Sequence, residues 1–180
     1  SMMIQAKKAG KDRMRLPSDE VNIDLLKSAG EKSIFIMDSI RKKQIVPYFQ
    51  PIVSVQDRSV LAYEILTRIV TPEKVFPATE FIEAAEGMGA LGKIDYLLVE
   101  MAFDQVRRNR YGGKLFFNLS PKFLVLNEFM PTIRGLMHSD GLEPTQMVFE
   151  VTERSTVKNL NLIERTVREL KQDGFLFAID

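Results

Sequence analysis

The sequence predicts an α/β fold, a mostly parallel sheet covered by helices, with an antiparallel start. Three observations carry this prediction. Helix-like and strand-like patterns alternate from residue 31 to residue 180. The strand segments are short and nearly continuous in apolar residues, as strands buried on both faces are. The first two, 46–55 and 60–70, are separated by the polar turn Gln56-Asp57-Arg58, so they pair as a hairpin. A doubly wound sheet and a (β/α) barrel both satisfy the pattern. No glycine-rich phosphate fingerprint follows any strand, which weakens the dinucleotide-binding version of the former.

Along the chain, residues 1–30 read as a polar, basic tail or linker. Lys7, Lys8, Lys11, Arg13 and Arg15 could form an arm for nucleic acid or acidic lipid, but no aromatic residue interleaves with them, and a solvated tail accounts for them. Ser1 before Met2 resembles a cleavage scar, which puts the natural start at Met2 or Met3. Ile34, Phe35, Met37 and Ile40 predict a helix ending near Arg41-Lys42-Lys43, where basic residues suit the C-terminal dipole. After the hairpin, Thr79–Glu86 reads as a short helix with Thr79 as N-cap and Gly87 as its stop. Ile94, Leu97, Leu98, Met101, Ala102 and Val106 form one face of a longer helix. Strands are expected at Lys114–Leu119, Met147–Val151 and Phe175–Ile179. Helices between them are marked by Phe129, Ile133, Leu136 and Met137, and by Leu160, Ile163, Val167 and Leu170 before Gly174.

Bulk properties bound the function. The 180 residues carry 25 Lys and Arg against 24 Asp and Glu, a formal net charge of +1. No global field draws the chain to a nucleic acid polymer or an acidic membrane. Cysteine is absent, which excludes disulfides and thiolate metal sites and fits a cytoplasmic location. No apolar run approaches the ~18 residues of a membrane span. The nine methionines and the phenylalanines read as packing residues, and His138, the one histidine, as a capping or surface residue.

The chemistry lies on the strands. Side chains at i, i+2 and i+4 share a face, so Glu64, Leu66 and Arg68 point the same way. Asn118, Glu150 and Asp180 stand near the ends of three later strands. In a barrel, catalytic groups project from the C-terminal ends of different strands. Gathered at one rim, Glu64, Asn118, Glu150 and Asp180 would make an all-oxygen site suited to Mg²⁺ or Mn²⁺ rather than zinc. Such a site suits phosphodiester hydrolysis, with Arg68 neutralising phosphate charge. Taken singly, each of these residues is as well explained as a cap, a loop residue or a surface ion pair. It is their recurrence on four strands that points to chemistry.

Five strings in order carry a family resemblance. Tyr48-Phe49-Gln50-Pro51-Ile52-Val53 resembles the Y-x-Q-P-I-V opening of EAL domains, the bacterial cyclic di-GMP phosphodiesterases. Glu64-Ile65-Leu66-Thr67-Arg68 resembles the E-A-L-L-R signature, with Ile65 in place of alanine. Phe117-Asn118-Leu119-Ser120 resembles V-N-L-S, Glu150-Val151-Thr152-Glu153 resembles E-L-T-E, and Phe177-Ala178-Ile179-Asp180 resembles the start of A-L-D-D-F-G. The similarity covers roughly residues 32–180.

The resemblance implies a TIM-like (β/α) barrel of the EAL type with an antiparallel first strand, incomplete in this chain, whose N-terminal part would be residues 31–180. It implies metal binding by Glu64, Asn118, Glu150 and Asp180, with Glu64, Glu150 and Asp180 in the catalytic set. It implies dinucleotide contacts from Gln50, Leu66 and Arg68, and a loop-steadying role for Glu153. The implied reaction is Mg²⁺- or Mn²⁺-dependent hydrolysis of cyclic di-GMP to linear pGpG in signal transduction, often by a homodimer. The family motifs beyond Asp180 (a second aspartate, a lysine and a further glutamate) have no counterpart here. The expectation is therefore a fragment, inactive alone, that pairs through its sheet edge. An upstream sensory or GGDEF domain is compatible. The alternative is a non-catalytic cyclic di-GMP receptor or regulatory module.

Overall fold

The computed structural model describes residues 29–118, 129–151 and 160–179. Helix α1 (Ala29–Arg41) leads into strands β1 (Ile45–Val53), β2 (Val60–Val70) and β3 (Val75–Pro77). Helices α2 (Ala78–Gly87) and α3 (Leu91–Arg108) follow, then β4 (Lys114–Asn118) and α4 (Phe129–Asp140). A 3₁₀ turn (Pro144–Gln146), β5 (Met147–Val151), α5 (Leu160–Gln172) and β6 (Leu176–Ile179) complete the order. The predicted alternation is present. The basic residues of the tail before Ala29 lie outside the described residues.

The sheet runs β1-β2-β4-β5-β6, with β3 also on β2. β1 and β2 are antiparallel, and β2, β4, β5 and β6 are parallel. The hairpin closes where Asp57 Oδ1 accepts from Ser59 N at 3.1 Å and Ser59 Oγ at 2.8 Å. Arg58 takes the left-handed conformation there (φ 62°), which fixes the turn over the predicted polar residues. β2 is long enough to serve three neighbours. On one edge β1 pairs with residues 60–69; on the other, residues 62–65 pair with β4, and Arg68–Val70 pair with β3 beyond the end of β4.

The buried apolar side chains on the helical side of the sheet fall mainly into two packed clusters. One joins Ile65, Leu115, Phe117, Met147 and Phe149 to Leu98, Phe103 and Ile133. The other joins Ile45, Ile69 and Phe76 to Ile36, Phe81 and Ile94. Burying each such side chain contributes about 1.5–3 kcal/mol against the ordering entropy. Phe103 meets Phe117 edge-on at 6.1 Å, and this contact ties α3 to the sheet.

Three local readings change. In α1 the buried residues are Ile36 and Ser39, while Ile34 is 72% and Met37 is 42% exposed. Four successive apolar residues, Ile34 to Met37, leave the facing ambiguous; the small Ser39 and the Phe35–Phe76 ring contact at 5.1 Å decide it. Thr79 is not the N-cap of α2. Pro77 caps it at φ −69° and ψ 157°, because the end of β3 already holds Pro77 extended. Gly87 is the last helical residue, and the left-handed residue beyond it is Gly89 (φ 72°). His138 is exposed in the last turn of α4, as expected. Among the described residues no helix is long and apolar enough to cross a membrane.

Candidate active site

Alternation along the strands sorts the sheet into two faces. Tyr63, Ile65 and Ile69 turn toward the helices, so Ala62, Glu64, Leu66 and Arg68 turn to the opposite face. Ile65, which replaces the signature alanine, is 1% exposed in the core and lies away from Glu64. β1 pairs Gln50 with Glu64 and Tyr48 with Leu66, which puts Gln50 and Tyr48 on the same face as Glu64. On β4 and β5, Leu115, Phe117, Met147 and Phe149 fill the helical side, leaving Asn118 and Glu150 on the other.

The oxygen-bearing residues of three adjacent strands therefore meet. Asn118 Nδ2 donates to Glu64 Oε1 at 2.9 Å, across 54 residues of sequence. Asn118 and Glu150 are direct register partners. Glu64 and Glu150 are half-buried, Asn118 is exposed, and Glu150 also makes a polar contact. Register continues from Glu150 to Ala178 on β6. Asp180 and Glu153 lie outside the described residues, so the structure brings together Glu64, Asn118 and Glu150 of the expected ligand set. Among the described residues no group of three or more His, Cys, Asp and Glu could hold a metal ion; Glu64, Asn118 and Glu150 supply two carboxylates and an amide on neighbouring strands. This all-oxygen donor set fits a hard divalent cation.

Arg68 stands beside these groups on β2. Its Nη1 donates to the Thr67 carbonyl at 2.8 Å, and its guanidinium carbon lies 5.6 Å from the centroid of the Tyr48 ring. Among the described residues it forms no salt bridge, and it lies on the same face as Glu64. Leu66 is half-buried and Gln50 exposed on the same face. Tyr48 is the residue that the sequence reading did not assign to the site. Its period-2 spacing from Gln50 and its diagonal position to Arg68 were the available signal.

An antiparallel strand opening a parallel sheet, with an oxygen-rich face across its neighbouring strands, marks an α/β protein of a restricted kind. The chain belongs to the EAL domain family, whose model matches residues 36–180. It is 28% identical over 183 residues to the signaling protein YkoW of Bacillus subtilis, covering 99% of this chain and 23% of that protein. It is 25% identical over 161 residues to the probable cyclic di-GMP phosphodiesterase PdeI of Escherichia coli, covering 83% of this chain and 21% of that protein. The structure superposes on the PaMucR phosphodiesterase in its c-di-GMP complex with a TM-score of 0.75 at 22% identity, covering 83% of this chain and 63% of that one. That similarity establishes the fold. The described strands are an open arc of the EAL-type TIM-like barrel. The chain spans roughly a fifth of the length of the curated relatives it matches.

Proposed function

We propose that this chain is part of a cyclic di-GMP phosphodiesterase that hydrolyses its substrate to linear pGpG with the help of Mg²⁺ or Mn²⁺. The observation that carries the reading is the Asn118–Glu64 hydrogen bond together with the Asn118–Glu150 register, which gathers oxygen groups beside an arginine without a carboxylate partner. Glu64, Asn118 and Glu150 would hold the ion, with Asp180 as a further ligand and Glu153 steadying the adjoining loop. When bound, such an ion supplies Lewis-acid chemistry, making water more acidic and screening phosphate charge.

The chain's own residues do the rest. Arg68 offers its free N–H groups to a phosphate, where charge on the non-bridging oxygens is stabilised as water attacks phosphorus. One ester bond to phosphorus breaks as the new bond forms, the leaving oxygen takes a proton, and the ring opens to a linear dinucleotide. Gln50 and Leu66 flank this path, one polar and one apolar, and would orient the ligand. The hydrogen bond from Asn118 Nδ2 would help orient the Glu64 carboxylate toward the donor set. The same reading includes a cytoplasmic site of action and a homodimer or edge-paired assembly through β1 or β6, the two edges of the described sheet.

Hydrolysis of cyclic di-GMP by the longer protein of which this chain would be part, followed by chromatography, tests the proposal, since the chain alone is expected to be inactive. The expected result is pGpG formation that is abolished by chelator and restored by Mg²⁺ or Mn²⁺, and lowered at least about 100-fold in Glu64→Gln, in line with loss of a preorganised electrostatic group. Unchanged turnover in Glu64→Gln would overturn the assignment of this face. Tight binding of the dinucleotide without turnover would instead mark a receptor.

A further inference from the structure

We propose that Tyr48 is the positioning residue for Arg68. It holds the guanidinium over the open face of the sheet, ready for a phosphate; the inference rests on the phosphodiesterase reading. Three observations support it. First, the register pairs Tyr48 with Leu66 and Val46 with Arg68, so Tyr48 and Arg68 are diagonal cross-strand neighbours on the site face. The guanidinium carbon sits 5.6 Å from the ring centroid, within the range of a cation–π contact. Second, Tyr48 is 42% exposed and belongs to neither core cluster, so packing does not account for its ring. The other aromatic residues of the hairpin behave differently: Phe49 and Tyr63 meet edge-on at 5.9 Å and pack against the helical side.

Third, the charge is held without being neutralised. Arg41, Arg107, Arg108, Arg134, Arg165 and Arg168 each meet a carboxylate, whereas among the described residues Arg68, like Arg58 and Arg110, meets none. Lys74 also lies over a ring, that of Phe76 at 4.7 Å, but Glu80 accepts from it at 3.3 Å. Arg68 has instead a π face and one backbone carbonyl, two contacts that fix a rotamer and leave the positive charge for an anion. A carboxylate in the place of Tyr48 would fix the rotamer equally well and compete with the phosphate. An aromatic ring there separates positioning from neutralisation.

The experiment is a double-mutant cycle read by calorimetric binding of cyclic di-GMP to the wild type, Tyr48→Phe, Tyr48→Leu, Arg68→Ala and the Tyr48→Leu/Arg68→Ala pair. Tyr48→Phe keeps the ring and is expected to bind like the wild type. Tyr48→Leu is expected to bind about two- to fivefold more weakly, the equivalent of one partly exposed cation–π contact. In the Arg68→Ala background the same substitution is expected to change nothing further. Wild-type affinity in Tyr48→Leu, or an equal loss with and without Arg68, would overturn the inference while leaving the phosphodiesterase reading intact. A wild type that takes up no cyclic di-GMP would overturn both.

Discussion

Replacing Asn118 by aspartate tests whether this face is built around a cation. In the wild type the amide donates to Glu64 Oε1 at 2.9 Å. The substitution removes that donor and sets two carboxylates in the same place, with Glu150 as register partner of the new one. The lost hydrogen bond costs about 1 kcal/mol. Two unit charges ~3 Å apart add about 1.4 kcal/mol of repulsion at the dielectric of water, a lower bound for the half-buried Glu64 beside the exposed position 118. The sum, about 2–3 kcal/mol, corresponds to a fall in Tm of about 5–10 °C for a chain of this size. Thermal melts of the wild type and Asn118→Asp at pH 7, with and without Mg²⁺, measure this. The deficit should be full without divalent ions and reduced by Mg²⁺. A variant that melts with the wild type in the absence of divalent ions, or one whose deficit Mg²⁺ leaves unchanged, would refute the reasoning.

Three further outcomes follow from the packing. Ile65→Ala restores the signature alanine but empties a site that is 1% exposed, so it should cost about 2–5 kcal/mol in urea unfolding. Gly113→Ala would place its methyl group against the Tyr111 ring, which is itself stacked edge-on against Tyr63 at 5.0 Å, and should cost about 1–3 kcal/mol by denaturant unfolding. Burial, and then the neighbouring Tyr63, push the Tyr111 phenol above its ordinary value of 10.0. Its contribution to stability is therefore present below pH 10 and lost as pH rises through the raised value, so denaturant midpoints from pH 9 to 11.5 should fall less steeply in Tyr111→Phe than in the wild type.

What was legible in the sequence depended on locality. Apolar strands and their turns announce themselves within a few residues, so β1, β2, β4, β5 and β6 were all expected near their observed positions. The period of two along β2 put Glu64, Leu66 and Arg68 on one face and Ile65 on the other, as the core confirms. What failed was set by distant partners. β3 is three residues long and exists because it pairs with the overhang of β2. That pairing also moved the cap of α2 from Thr79 to Pro77. The facing of α1 was decided by Phe76, about forty residues away. In the site, the strings placed Glu64, Asn118 and Glu150 on separate strands, but only the register shows that they are neighbours. The contact of Arg68 with Tyr48 requires the antiparallel pairing as well as the spacing, so no single string contained it.

The most direct test of the account is a calorimetric titration of the protein with cyclic di-GMP, carried out with Mg²⁺ and again with a chelator, on the wild type and on Arg68→Ala. The account predicts saturable binding by the wild type, and weaker binding by Arg68→Ala because that face then lacks a guanidinium that meets no carboxylate among the described residues. Absence of binding by the wild type in both conditions would contradict it.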